Sequence, residues 1–132
     1  MSFGQVFQML IIIFAIGYAL YQIFLFVERR TSAKYVTGEE MMAAGKGIQI
    51  IDVRERDEFN RKHILGARNI PYTQFKQMYS KIRKDQPVYV YDQFGFMAGR
   101  AAGKLKRLGY KNIYLLKGGL ERFEGKVKTK VD

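Results

Sequence analysis

The 132-residue chain has no cysteine, no tryptophan and one histidine, and its 23 Lys+Arg against 12 Asp+Glu give a formal net charge of +11. Without cysteine it has no disulfide framework, no thiolate ligand for zinc or an iron–sulfur cluster, and no thiolate nucleophile or persulfide carrier. The length suits a single domain, and 48% hydrophobic residues can build a modest core.

Charge is absent from the start of the chain: residues 1–27 contain no Asp, Glu, Lys or Arg. Residues 6–27 read VFQMLIIIFAIGYALYQIFLFV, which as a helix would span about 33 Å, enough for a hydrocarbon core of roughly 30 Å. Gln8 and Gln22 fall near its ends, and Tyr18 and Tyr21 suit an interface. A cleaved signal peptide would want a basic start, a shorter apolar run and a small-residue cleavage site, and a core helix would not be apolar on every face. The pattern predicts one N-terminal transmembrane helix, with lipid contacts through residues 6–27 and through Arg29, Arg30 and Lys34 just beyond. Because positive charge follows the segment, the positive-inside rule places the amino terminus outside and the rest in the cytoplasm at the cell membrane.

Beyond residue 28 the apolar block gives way to short alternating elements. Thr37-Gly38-Glu39-Glu40 fits a capping box for a short helix ending at Gly45. Residues 48–53 (IQIIDV) read as a strand, 55–61 as a charged helix, 69–71 as a short extended piece closed by proline, and 72–82 as a helix. Residues 87–91 (PVYVY) are β-branched and aromatic, as in a buried strand, and Ala98, Ala101, Ala102, Leu105 and Leu108 then recur at helical spacing. Residues 112–116 give another strand, Gly118-Gly119 opens a last short helix through Phe123, and the basic tail of residues 126–132 is expected to fray. The expected division is therefore an anchor over 1–30, an α/β domain over 31–125 and the tail. Such alternation favours a parallel sheet covered by helices, with binding groups at the carboxyl ends of strands.

The loop Asp92-Gln93-Phe94-Gly95-Phe96-Met97, between PVYVY and the alanine-rich helix, is the candidate site. A strand-to-helix loop aims several backbone N–H groups at one point, where the helix dipole also favours negative charge. Asp92 brings its own carboxylate there. It reads as a helix cap or turn residue, since a phosphoaspartate would want further carboxylates for magnesium. Gly95 and Gly99 make neither a dinucleotide fingerprint nor a P-loop. Phe94, Phe96 and Met97 are either buried or an exposed contact patch, and Arg100 is either an anion contact or a solvated surface residue. No metal or cofactor is expected.

These residues resemble a known family, the rhodanese-like domains. Asp52-Val53-Arg54 is similar to the family's first signature. The run from His63 to Pro71 (HILGARNIP) is similar to its second, with Lys62 and Leu65 where glycine and proline are usual. PVYVY, the six-residue loop, the helix, Leu108-Gly109-Tyr110 and Lys117-Gly118-Gly119-Leu120 follow in the family's order, with Phe123 where tryptophan is common. The resemblance covers about residues 35–125 and implies a five-stranded parallel sheet flanked by helices.

In that family the loop begins with a persulfide-carrying cysteine and often reads Cys-Arg-x-Gly-x-Arg. By the resemblance Asp92 stands at the cysteine, and Gln93 and Met97 stand at the two arginines. A carboxylate cannot take up sulfane sulfur, so sulfurtransferase activity is expected to be absent. A fixed carboxylate would instead imitate the charge of the missing thiolate. The resemblance also implies that His63 hydrogen-bonds within the scaffold; Asp52 and Arg54 read as a pair that orders neighbouring loops. The reading is a single-pass membrane protein whose inactive domain binds an unidentified protein partner through the loop. The alternative is residual sulfurtransferase or anion-directed hydrolytic activity using Asp92, His63 and Arg100. Nucleic acid is a poor partner, since no recognised motif is present and basic residues are scattered through every element.

Overall fold

The apolar opening of the chain forms one helix, α1 (Phe3–Ser32), whose stretch Phe3–Val27 is long and apolar enough to cross a membrane. None of that stretch is buried: Ile11, Ile12, Ile13 and Phe14 are all more than half exposed. The computed structural model describes residues 1–130, and of residues 28–32 its backbone alone. The side chains of Arg29 and Arg30, expected to meet lipid, and the last two residues of the tail lie outside the described residues. Residues 1–31 and 32–132 are separate units.

In the second unit five strands form one parallel sheet: β1 (Lys34–Val36), β2 (Gln49–Asp52), β4 (Arg68–Asn69), β5 (Val88–Tyr91) and β6 (Ile113–Leu116), in the spatial order β1-β6-β5-β2-β4. A separate strand, β3 (Lys62–Ile64), leaves that sheet. The helices are α2 (Gly38–Ala43), α3 (Arg56–Arg61), α4 (Phe75–Met78) and α5 (Phe96–Arg107). Thr37 caps α2 as its sequence suggests, its hydroxyl oxygen accepting the Glu40 N–H at 3.1 Å.

All four residues of β5 are buried because both faces of the sheet are covered. Val88 and Val90 face one core with Ile51, Val53 and the α5 residues Ala98, Ala101, Ala102 and Leu105. Tyr89 and Tyr91 face the other, with Met41, Ile64, Leu116 and Leu120. The alanines let α5 approach the sheet closely, and burying a side chain such as Leu105 contributes about 1.5–3 kcal/mol. Core and topology thus fix β5 at the centre and bring its carboxyl end to the loop at Asp92.

Three local expectations need correction. Residues 72–82 are not one helix: a 3₁₀ turn (Tyr72–Gln74), the four-residue α4 and a second 3₁₀ turn (Tyr79–Lys81) follow one another. The turn after Gly119 is a single 3₁₀ turn, Leu120–Arg122. The basic tail does not simply fray, because β7 (Val127–Thr129) pairs antiparallel with β3, placing Val127 opposite Ile64. That pairing gives the tail's backbone groups partners that solvent alone would otherwise supply.

Candidate functional site

The loop after β5 closes around the side chain of its first residue. Asp92 is 5% exposed. One of its carboxylate oxygens accepts the Gly95 backbone N–H, and the other accepts that of Met97 at 2.7 Å. Met97 lies in the first turn of α5, so Asp92 satisfies helix-start donors although the cap residue itself is Gly95, which adopts φ +113°. The anion cradle of this loop therefore holds an anion supplied by the chain.

The loop is latched from the opposite side by the 3₁₀ turn. Leu120 N–H donates to the Asp92 carbonyl at 2.9 Å, and Glu121 N–H to the Gln93 carbonyl at 3.1 Å. Gly119, at φ +64°, permits this approach. A Cβ there would fall 2.5 Å from the Gln93 carbonyl oxygen and 2.6 Å from that of Asp92.

Gln93 ties the loop to two charged residues: its amide oxygen accepts from Arg54 Nη1 at 3.2 Å and its amide nitrogen donates to Glu121 at 3.0 Å. Arg54 and Asp52, at the end of β2, are both buried. Arg54 Nη2 donates to Asp52 Oδ2 at 2.8 Å, Nε to Oδ1 at 3.1 Å, and Nη2 also reaches the Lys62 carbonyl. Burial works against the Arg54 charge, but the hydrogen bonds and charge of Asp52 more than offset it and raise its pKa above the ordinary value. The guanidinium is thus committed on all three nitrogens to Asp52, Gln93 and the Lys62 carbonyl, so anion capture would require it to give up existing bonds.

Tyr91, fully buried beside this pair, accepts the Ile64 N–H on its hydroxyl at 3.0 Å. Burial, and then the neighbouring Asp52 carboxylate, push its pKa up. Asn69 donates to the carbonyls of Asp52 and Arg54 at 3.0 and 2.9 Å, closing the β2 end. Neither residue stood out in the sequence as part of the site, since each acts on backbone groups brought near only by the sheet.

The remaining candidates are spread out. Phe94 and Phe96 are 60% and 81% exposed, while Met97 packs partly against the core. Arg100 is exposed on α5. His63 lies on β3, with Nδ1 2.7 Å from the Phe59 carbonyl oxygen and its ring stacked 3.8 Å from that of Phe59. Since a carbonyl only accepts, Nδ1 carries the proton. Among the described residues His63 shares no hydrogen bond with Asp92 or Arg100. Beside the loop lies an open cleft of about 360 Å³ whose wall mixes Arg61 and Lys62 with Glu58 and Glu121. Such alternation offsets attraction for a small anion.

Parallel order, the loop at the end of β5 and the latch at Gly119 together define a recognisable class. Residues 37–126 match the family described as "Rhodanese-like domain", and the chain belongs to it. It is 44% identical over 123 residues to the uncharacterized protein YqhL of Bacillus subtilis, covering 93% of this chain and 98% of that one. It is 32% identical over 79 residues to the thiosulfate sulfurtransferase GlpE of Coxiella burnetii, covering 60% of this chain and 74% of that one. The fold is shared with a rhodanese-related protein of Thermoplasma volcanium at TM-score 0.68 and 22% identity, over 74% of this chain and 99% of that one.

Proposed function

We propose that the protein is a single-pass membrane protein whose rhodanese-like domain is silent as a sulfurtransferase and serves as a binding module. The observation that carries this reading is the Asp92 carboxylate seated on the Gly95 and Met97 N–H groups. Asp92 stands where the family's resemblance puts the sulfur-carrying cysteine, and the chain has no cysteine anywhere. A carboxylate offers no sulfur to oxidise and forms no persulfide, and its charge opposes the approach of thiosulfate. Met97 offers no cation for that anion.

Anchoring is supported by α1, apolar and exposed over Phe3–Val27. The match to YqhL, over 93% of this chain, extends beyond the family domain into that segment. The charge asymmetry favours an outside amino terminus and a cytoplasmic domain. Exposed Phe94 and Phe96 give the loop from Asp92 to Met97 an apolar tip suited to a protein partner.

Thiosulfate-to-cyanide transfer by the full chain in detergent tests the silent-domain reading, beside the double variant Asp92→Cys, Met97→Arg. The wild type is expected to form no thiocyanate above a protein-free control, and turnover above it would overturn the reading. Crosslinking from position 94 in membranes tests the contact surface, which fails if no adduct depends on the loop.

A further inference from the structure

We infer that the face formed by α4 and the carboxyl-terminal half of α5 is a docking surface for the anionic phospholipid leaflet beside which the domain is tethered. The inference rests on the anchored reading above. On this face Phe75, Tyr79 and Leu108 line an open groove of about 250 Å³, rimmed by Lys76, Lys104 and Arg107. An apolar floor inside a ring of cations matches the boundary of an anionic bilayer, where acyl carbon lies just below the phosphates. Lys104 is held at the rim by Tyr72, its Nζ 4.4 Å from the ring centroid.

Charge on the two segments is one-sided. Residues 72–84 carry Lys76, Lys81, Arg83 and Lys84, residues 93–111 carry Arg100, Lys104, Lys106, Arg107 and Lys111, and neither segment contains an Asp or Glu. Asp85, which follows the first, is engaged by Arg83 at 2.6 Å. In the cleft beside the loop, by contrast, acids interleave with bases.

The tether supplies the reason to favour lipid over an acidic protein. Six residues separate Val27 from the first strand residue, Lys34, a span of at most about 25 Å even if fully extended. The domain is thereby confined near a headgroup layer, where weak contacts act at high effective concentration. Because α5 has 12 residues, about 18 Å of helix, its basic end can rest on lipid while the Asp92 loop at the other end stays in water.

The absence of tryptophan allows a direct test. Tyr79→Trp places a single indole at the groove of the full chain, reconstituted in phosphatidylcholine vesicles with or without phosphatidylglycerol and containing lipid brominated near the glycerol. Quenching is expected with phosphatidylglycerol. It is expected to disappear in phosphatidylcholine alone, at high salt, and in the same chain carrying Lys76→Glu, Lys104→Glu and Arg107→Glu. Met42→Trp, on the opposite face of the sheet, should be unquenched in all vesicles. Hydrogen exchange of the unsubstituted chain gives a second readout, with slower exchange over residues 75–81 only on anionic vesicles. Equal quenching in both vesicle types, or none with phosphatidylglycerol, would overturn the inference; the second result would leave the face to an acidic protein. An alkaline wash separates the two claims. A chain that washes off contradicts the anchor, whereas one that stays without quenching contradicts only the docking.

Discussion

The Asp92 carboxylate accepts the Met97 backbone N–H at 2.7 Å, five residues ahead in the chain. A carboxylate acceptor thus closes the turn between β5 and α5. Asp92→Asn keeps one acceptor oxygen but turns an amide toward the second N–H. Hydrogen bonds to charged groups contribute about 1.5–3 kcal/mol, so thermal denaturation should show Tm lower by on the order of 10 °C. An unchanged Tm would show that the carboxylate does not hold the loop.

Arg54 and Asp52 act as a buried unit, with side-chain exposures of 7% and 0%. Removing one partner of such a pair costs about 3–5 kcal/mol because the other charge is left buried. Arg54→Met should therefore be strongly destabilised in urea titration. Adding Asp52→Asn to it should recover part of the loss. Additive losses would argue against a coupled pair.

Alkaline stability should depend on Tyr91. Its pKa in the folded chain lies above the ordinary value of 10.0, so above pH 10 the unfolded chain gives up a proton that the folded chain retains. The unfolded state then binds fewer protons, and stability falls as pH rises. The contribution is complete below pH 10 and is lost toward the folded pKa. Tyr89 and Tyr110 are raised in the same direction by burial. Tyr91→Phe should accordingly reduce the alkaline slope without abolishing it, as read from denaturant titrations across that range. An unaltered slope would contradict the assignment.

Gly119→Ala should loosen the loop from its latch. The added Cβ would meet two carbonyl oxygens at 2.5 and 2.6 Å, on a residue already at φ +64°. A cost of about 1–3 kcal/mol is expected for the backbone strain, with faster hydrogen exchange at Leu120 and Glu121. Gly45, by comparison, has positive φ but open space around it, so Gly45→Ala should leave those two amides unaffected.

The elements that could be read from the sequence are those whose pattern is local. PVYVY is apolar throughout because both faces of β5 are covered, and the alanines of α5 repeat at helical spacing. β1 gave no such signal: it is three residues long, lies at the sheet edge, and leaves Lys34 and Tyr35 exposed. β3 and β7 were hidden because their pairing joins Ile64 to Val127 across the chain. The 72–82 segment carries helical residues, but its 3₁₀ turns bend it to seat Phe75 and Ile82 in the core. Asp92 was legible from its place after a strand. Its carboxylate contacts were not, nor was the bridge from Arg54 through Gln93 to Glu121, which joins residues 39 and 28 positions apart.

Occupancy of the cradle can be measured on the amides that form it. Thiosulfate titrated onto the full chain in detergent should leave the Gly95 and Met97 amide resonances unmoved in the wild type, because Asp92 already holds both N–H groups. The same resonances should shift and saturate in Asp92→Ala, where the cradle is vacated. Saturation in the wild type at the concentrations that saturate Asp92→Ala would contradict the account.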